Sequence, residues 1–263
     1  MAKWILTREG DDGGDVEALL RERGHQVVRV PCIETQWHAW PWPADPHALT
    51  IFTSRRAVEC FARSVATIES SRAKNSGAAP HPDPLPQGRE GSQSGLGVIA
   101  ALRPETSRAL AELGLEPDIE ATGGSRALAH GIVTAWPWLS PRPMCIRYPT
   151  SSAGLSAPEQ DDAVRDLSAL GRVERTVVYD VTAPALLARE LAAALIEPSW
   201  SIVFASPSAV SHFFTATGAS ASAPAHAVCF GASTARAWNE RRPEAWPAAS
   251  ATSDLRSTLE VIT

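Results

Sequence analysis

No stretch of this sequence approaches the roughly 18 uninterrupted apolar residues that a membrane span needs, so the chain is expected to be soluble. It opens on MAKWILTREG and enters a strand-like segment without the basic, apolar and small-residue order of a secretory leader, so a cytoplasmic location is expected. A basic surplus is also missing. The formal net charge is -5, and a phosphate backbone requires a dense basic surface, so nucleic acid is not an expected partner. The four cysteines, Cys32, Cys60, Cys145 and Cys229, stand singly inside apolar runs without the paired spacing of zinc or redox motifs and read as buried free thiols. Seven histidines form no HExxH and no i, i+4 pair on a helix, so a metal site is not expected. No glycine-rich phosphate fingerprint follows a first strand, because REGDDGGD puts carboxylates where phosphate would approach. GASTA at 231–235 has the outline of a nucleophile elbow, but Ala235 replaces the last glycine and no Asp and His order supports a triad on Ser233.

What the sequence does contain is a duplication. IFTSRRAVECFA at 51–62 and IVFASPSAVSHFF at 202–214 share a strand ending, a serine and a following apolar helix pattern. Each continues into a further strand and helix, VIAALRPETSRALAELG in one copy and AVCFGASTARAWNERR in the other, so that Ser54 aligns with Ser206 and Thr106 with Thr234. A shorter strand, helix, strand unit is doubled as well. WILTRE, DVEALLRERG with Asp15 as N-cap and Gly24 as stop, and HQVVRVPCIE form the first; MCIRYP, DDAVRDLSALG and RTVVYDV form the second. Such alternation belongs to parallel α/β sheets, and 263 residues suffice for two modest domains. Either the units pair sequentially, or the first short unit joins the last long one around an inserted domain. The first copy is lengthened by RAKNSGAAPHPDPLPQGREGSQSGLG, residues 72–97, whose four prolines and five glycines with few apolar residues read as a disordered loop. QWHAWPWPADPH at 36–47 and AWPWLSPRP at 135–143 read as irregular connectors.

In parallel α/β sheets ligands bind beyond the carboxyl ends of strands, where helix N-termini offer free N–H groups. The residues expected there are Thr7, Arg8, Thr53, Ser54, Arg55, Arg56, Arg103, Arg147, Ser206, Ser208, Ser233 and Thr234. Serine and threonine at such positions equally serve as helix caps, with the hydroxyl turned to its own helix. The arginines oppose the helix dipole and point to an anionic ligand, with solvated surface arginines as the plain alternative. Only two tyrosines occur, Tyr148 and Tyr179, and by pattern alone Tyr179 in RTVVYDVTAP is a half-buried strand aromatic.

In that order, LTREG, ALLRERGHQVVRVPCIE, FTSRRAV, VVYDVTAP, FASPSAV and FGASTARAW resemble the uroporphyrinogen-III synthase family over nearly the whole chain outside 72–97. The resemblance implies two similar α/β domains, each a parallel sheet flanked by helices, joined by a two-stranded connector. The first domain is then discontinuous, residues 1–31 with 184–263; the inserted domain is 36–178, and 27–35 and 174–183 are the connector strands. It implies a monomer that needs no cofactor and converts hydroxymethylbilane, a linear tetrapyrrole with eight carboxylates, into uroporphyrinogen III in haem biosynthesis. Water is lost, the ring closes and the last pyrrole is inverted. The preceding pathway enzyme, handing over the bilane, is the one protein contact it implies. Tyr179 matches the tyrosine assisting departure of the hydroxyl group, and Ser206 and Thr234 match positions that hold substrate carboxylates, with Thr53, Ser54 and Thr106 as their first-copy counterparts. Arg103 stands where the family usually has glycine, and RYPTSSAGLSAPEQ replaces a shorter loop. A noncatalytic two-domain module for an anionic small molecule is the competing expectation.

Overall fold

A computed structural model describes residues 2–9, 14–40, 47–76, 97–139, 145–156, 158–196, 199–218 and 221–252. The chain begins β1 (Lys3–Leu6), α1 (Gly14–Glu22), β2 (Gln26–Arg29), β3 (Glu34–Trp37), β4 (Leu49–Phe52) and α2 (Arg55–Ser76). It continues β5 (Val98–Leu102), α3 (Glu105–Glu112), β6 (Ile119–Ala121), α4 (Ser125–Leu139), β7 (Cys145–Ser151), α5 (Ser152–Leu155) and α6 (Pro158–Leu167). The last part is β8 (Arg172–Thr182), α7 (Leu187–Ala194), β9 (Trp200–Phe204), α8 (Pro207–Thr217), β10 (His226–Phe230), α9 (Ala232–Arg241) and β11 (Ser250–Thr252).

Contacts divide the chain into two compact units, Met1–Thr35 with Val181–Thr263, and Gln36–Asp180. The first unit's sheet has the order β11-β10-β9-β1-β2, with all neighbours parallel; Ile5 in β1 stands opposite Val28 on one side and Ile202 on the other. The second sheet runs β3-β8-β7-β4-β5-β6. Setting β1 against β7, β2 against β8, β9 against β4, β10 against β5 and β11 against β6 reproduces one order in both, and β3 is an addition at the second sheet's edge. Each unit therefore joins the short doubled segment of one copy to the long segment of the other. In both, the order reverses beside the strand that ends in the shared serine motif, β9 or β4, which is where open α/β sheets place ligands.

The central position of β4 and β9 follows from their composition. LTIF and WSIVF are buried at every residue, as strands covered on both faces require. Several expectations need correcting. Asp15 lies inside α1, which starts at Gly14, while Gly24 does end it with φ +79°. The expected connector strand 27–35 is split, because β2 belongs to the first sheet whereas β3 joins the second; 174–183 is most of β8. Trp37 of the expected irregular segment 36–47 is the last residue of β3, and 41–46 lie outside the described residues. Residues 135–139 continue α4 with Pro137 inside it, and 140–143 lie outside the described residues.

Of the expected loop 72–97, residues 72–76 extend α2, 77–96 lie outside the described residues, and Gly97 is structural. Gly97 has φ +68°, and a Cβ there would come within 2.0 Å of the Ala48 carbonyl, which accepts the Val98 N–H at 3.0 Å. Excising 77–96 with a short Gly-Ser bridge is expected to leave turnover and the melting temperature nearly unchanged, provided Gly97 is retained. A folded but inactive deletion would give the insertion a role that its composition does not suggest.

The first unit holds a large aromatic cluster, in which Trp200, Phe204, Phe213, Trp238 and Trp246 are all buried. A smaller cluster on the sheet's other face contains Trp4. His25 and His226 flank Trp4 at ring-centroid distances of 6.0 and 6.5 Å. Both ring nitrogens of His25 are buried without a hydrogen-bond partner. Burial, aided by the Arg23 charge, therefore holds the His25 imidazole below its ordinary pKa. The unfolded chain takes a proton near pH 6.5 while the native state resists it. This contribution is thus complete above about pH 6.5 and declines as the pH falls through that value toward the lower native pKa. Urea unfolding at pH 7.5 and 5.5 is expected to show a larger loss for the wild type than for His25→Phe; equal losses would remove His25 from the acid response.

Candidate active site

In the second unit the β4 end, the α2 start and the β8 end meet at Ser54 and Tyr179. Ser54 follows β4 and precedes α2, and its Oγ accepts the Ala57 N–H at 3.2 Å, the bond of an N-cap serine. The same Oγ shares a hydrogen bond of 3.0 Å with the Tyr179 hydroxyl. Tyr179 is 7% exposed, and its ring lies 6.2 Å from that of Trp37 in β3, over which the Arg63 guanidinium sits at 4.6 Å. The neighbouring Asp180 accepts from His38 at 2.7 Å, and the Ser152 hydroxyl and then His38 hold its carboxyl below the usual range. Tyr148, the other phenol, is 1% exposed with no hydrogen-bond partner for its hydroxyl. Burial pushes it up against the opposite pull of the nearby Ser125 and Thr53 hydroxyls. Of the two, Tyr179 is the phenol paired with a helix-capping serine.

Around this corner Thr53 is half-buried, and Arg55 is half-buried with its Nε 2.8 Å from Glu59 one turn along α2. Arg103 is exposed and 3.6 Å from Glu120. Thr106 is buried in the first turn of α3, a helix without a side-chain cap bond. Arg147 is not at a strand end: it is the third residue of β7, 5% exposed, with Thr50 and Glu174 opposite it in β4 and β8. Its assignment as a strand-end anion ligand is corrected accordingly.

The first unit repeats the arrangement. Ser206 caps α8 by accepting the Ala209 N–H, again at 3.2 Å, and Ser208 is half-buried in the first turn. Gly231, with φ +83°, leads into α9, which like α3 has no side-chain cap bond; Ser233 is exposed, and Thr234 is buried. Arg8, just past β1, stacks on the Phe230 ring at 5.1 Å. Thr7 is 1% exposed, and its hydroxyl donates to the Val203 carbonyl at 2.8 Å, so it ties β1 to β9 instead of facing a ligand. In each unit a serine-capped helix, α2 or α8, is thus accompanied by a helix without a side-chain cap bond and with a buried threonine in its first turn, α3 or α9. An uncapped N-terminus leaves backbone N–H groups to receive an anion.

The family model described as uroporphyrinogen-III synthase HemD matches residues 14–254. The chain belongs to the uroporphyrinogen-III synthase family. Among solved structures, a mutant uroporphyrinogen III synthase from Thermus thermophilus is 18% identical, with 99% of this chain and 97% of that one covered and a TM-score of 0.54. The uroporphyrinogen-III synthetase of Helicobacter pylori is 14% identical, with 99% and 98% covered and a TM-score of 0.58. Both share the α/β fold of parallel sheets flanked by helices. A search of curated protein sequences gave no match.

Burial pushes the Cys32 and Cys229 thiols up to about 12 and that of Cys60 up as well, whereas Cys145, expected to be buried, is only half-buried. No described helix is long and apolar enough to cross a membrane. Sequence reasoning missed Trp37, Arg63, His38 and Asp180 around Tyr179. The signal for Trp37 and His38 was present in the aromatic and histidine pair of QWHAW, but the prolines that follow favour a connector.

Proposed function

We propose that this synthase acts on hydroxymethylbilane with Tyr179 as the proton donor that assists loss of the hydroxyl group. The phenol gives its proton to the departing oxygen, the carbon–oxygen bond breaks and water leaves. The substituted carbon of the last ring then bonds to the methylene that lost the hydroxyl group, giving a spiro intermediate; its bond to the chain methylene breaks, that methylene bonds to the ring's unsubstituted carbon, and the proton lost there restores the Tyr179 phenol. Orientation carries most of the burden, because the activated bilane also closes without help to the wrong isomer. The observation that carries the reading is the Tyr179 hydroxyl held 3.0 Å from a capping serine.

The proposed binding residues fall in both units. Thr53, Arg55 and the N–H groups beside Thr106 belong to the second; Arg8, Ser206, Ser208, Ser233 and the N–H groups beside Thr234 belong to the first. Arg55 can exchange Glu59 for a substrate carboxylate at small cost, because exposed i, i+4 pairs are worth little. Receipt of the bilane from the preceding pathway enzyme and residence in the cytoplasm complete the proposal. The test supplies freshly generated hydroxymethylbilane and separates the oxidised products by isomer. Type III product above the no-protein rate supports it. Type I alone, at the spontaneous rate, leaves only a binding module.

A further inference from the structure

The serine at the start of α2 has a second partner. Its oxygen accepts the Ala57 N–H, and the 3.0 Å contact to Tyr179 leaves the serine proton as a natural donor toward the phenolic oxygen. We infer that Ser54 is a positioning residue for Tyr179. It donates to the phenolic oxygen so that the phenol proton points away from α2 toward the departing hydroxyl group. This rests on Tyr179 being the proton donor. It also changes the part expected of Ser54, whose hydroxyl is occupied at both ends and is not a ligand for a substrate carboxylate.

Three features favour this direction of donation. A phenol that donates to Ser54 has no proton aimed at substrate; a phenol that accepts from Ser54 does. After transfer the phenolate needs a donor, and Ser54 is already in place, with its own oxygen polarised by an N–H of the helix N-terminus. The duplication supplies an internal comparison. Ser206 makes the same cap bond in the first unit, yet both tyrosines of the chain, Tyr148 and Tyr179, lie in the second. The cap is therefore common to both copies, whereas the tyrosine contact belongs to one. Trp37 beside the Tyr179 ring restricts the remaining freedom of the phenol.

The experiment separates capping from proton orientation by substituting Ser54 with residues that differ in donor capacity. Threonine caps and donates; aspartate caps well but only accepts; alanine does neither. With hydroxymethylbilane as substrate, Ser54→Thr is expected to keep kcat within about threefold, and Ser54→Ala to lower it about tenfold with little change in KM. Ser54→Asp, which draws the phenol proton toward itself, is expected to fall as far as Tyr179→Phe. Adding Ser54→Ala to Tyr179→Phe is expected to lower kcat no further. A structural cap gives the other order, with aspartate like wild type and alanine impaired by its melting temperature alone, and that order overturns the inference. A rise in KM with kcat unchanged overturns it in favour of carboxylate binding. If Tyr179→Phe itself keeps full turnover, it is the assignment of Tyr179 that fails, and the double variant tells the two failures apart.

Discussion

Tyr179→Phe is expected to lower kcat roughly ten- to a hundredfold, at the lower edge of what a positioned acid contributes, while KM and the fold change little. The substitution removes one oxygen. The ring keeps its place beside Trp37, and Ser54 keeps the Ala57 N–H, so the helix cap survives. The stability cost is that of one partly buried hydrogen bond, about 1 kcal/mol. Turnover is not abolished, because loss of the hydroxyl group also proceeds slowly without a positioned acid and the binding residues still orient the bilane. Product identity is the more telling readout. With the assisted step slowed, spontaneous closure competes, and the share of type I isomer rises although the enzyme-bound product remains type III. Initial rates together with isomer separation check both parts. Unchanged kcat with unchanged isomer ratio would remove Tyr179 from the chemistry.

The corner that holds Tyr179 was legible in the sequence to different depths. The serine after β4 and its twin after β9 could be read because a buried strand, a capping serine and an apolar helix form a pattern that repeats. Which repeats share a sheet could not be read, since hydrophobic pattern does not specify a strand's neighbour; the β1–β9 and β4–β7 pairings decide it. Arg147 was misplaced for a local reason. MCIRYP reads as a strand ending at Pro149, whereas β7 passes through it to Ser151, with Pro149 opposite Thr176 in β8. Thr7 shows the limit of residue type: a hydroxyl at a strand end suits a ligand and a neighbouring carbonyl equally, and burial decides. β6 and β11, at three residues each, are too short for any period to register.

The largest stability effect is expected at Trp238, on the helix that carries Ser233 and Thr234. Its ring is fully buried, within 5.1 to 6.1 Å of the rings of Phe204, Phe213, Phe214 and Trp246, and its Nε1 donates to the Pro247 carbonyl at 3.0 Å. Removing such a side chain loses transfer energy and leaves a cavity that surrounding aromatics fill poorly. Trp238→Ala is therefore expected to cost about 3–5 kcal/mol, a large part of the roughly 5–15 kcal/mol by which a domain is stable. Trp238→Phe keeps most ring contacts and loses the indole bond, so about 1–2 kcal/mol is expected. Thr234 lies one turn before Trp238 on the same buried face, so the indole also fixes the uncapped start of α9. Below its melting temperature the alanine variant should accordingly show a higher KM for hydroxymethylbilane, with kcat less affected. Urea unfolding followed by circular dichroism, which does not depend on the missing tryptophan, measures the first effect and steady-state kinetics the second. A cost within about 1 kcal/mol for Trp238→Ala would mean that the aromatic cluster closes over the gap and that α9 is held by its other buried residues, Ala235 and Ala237.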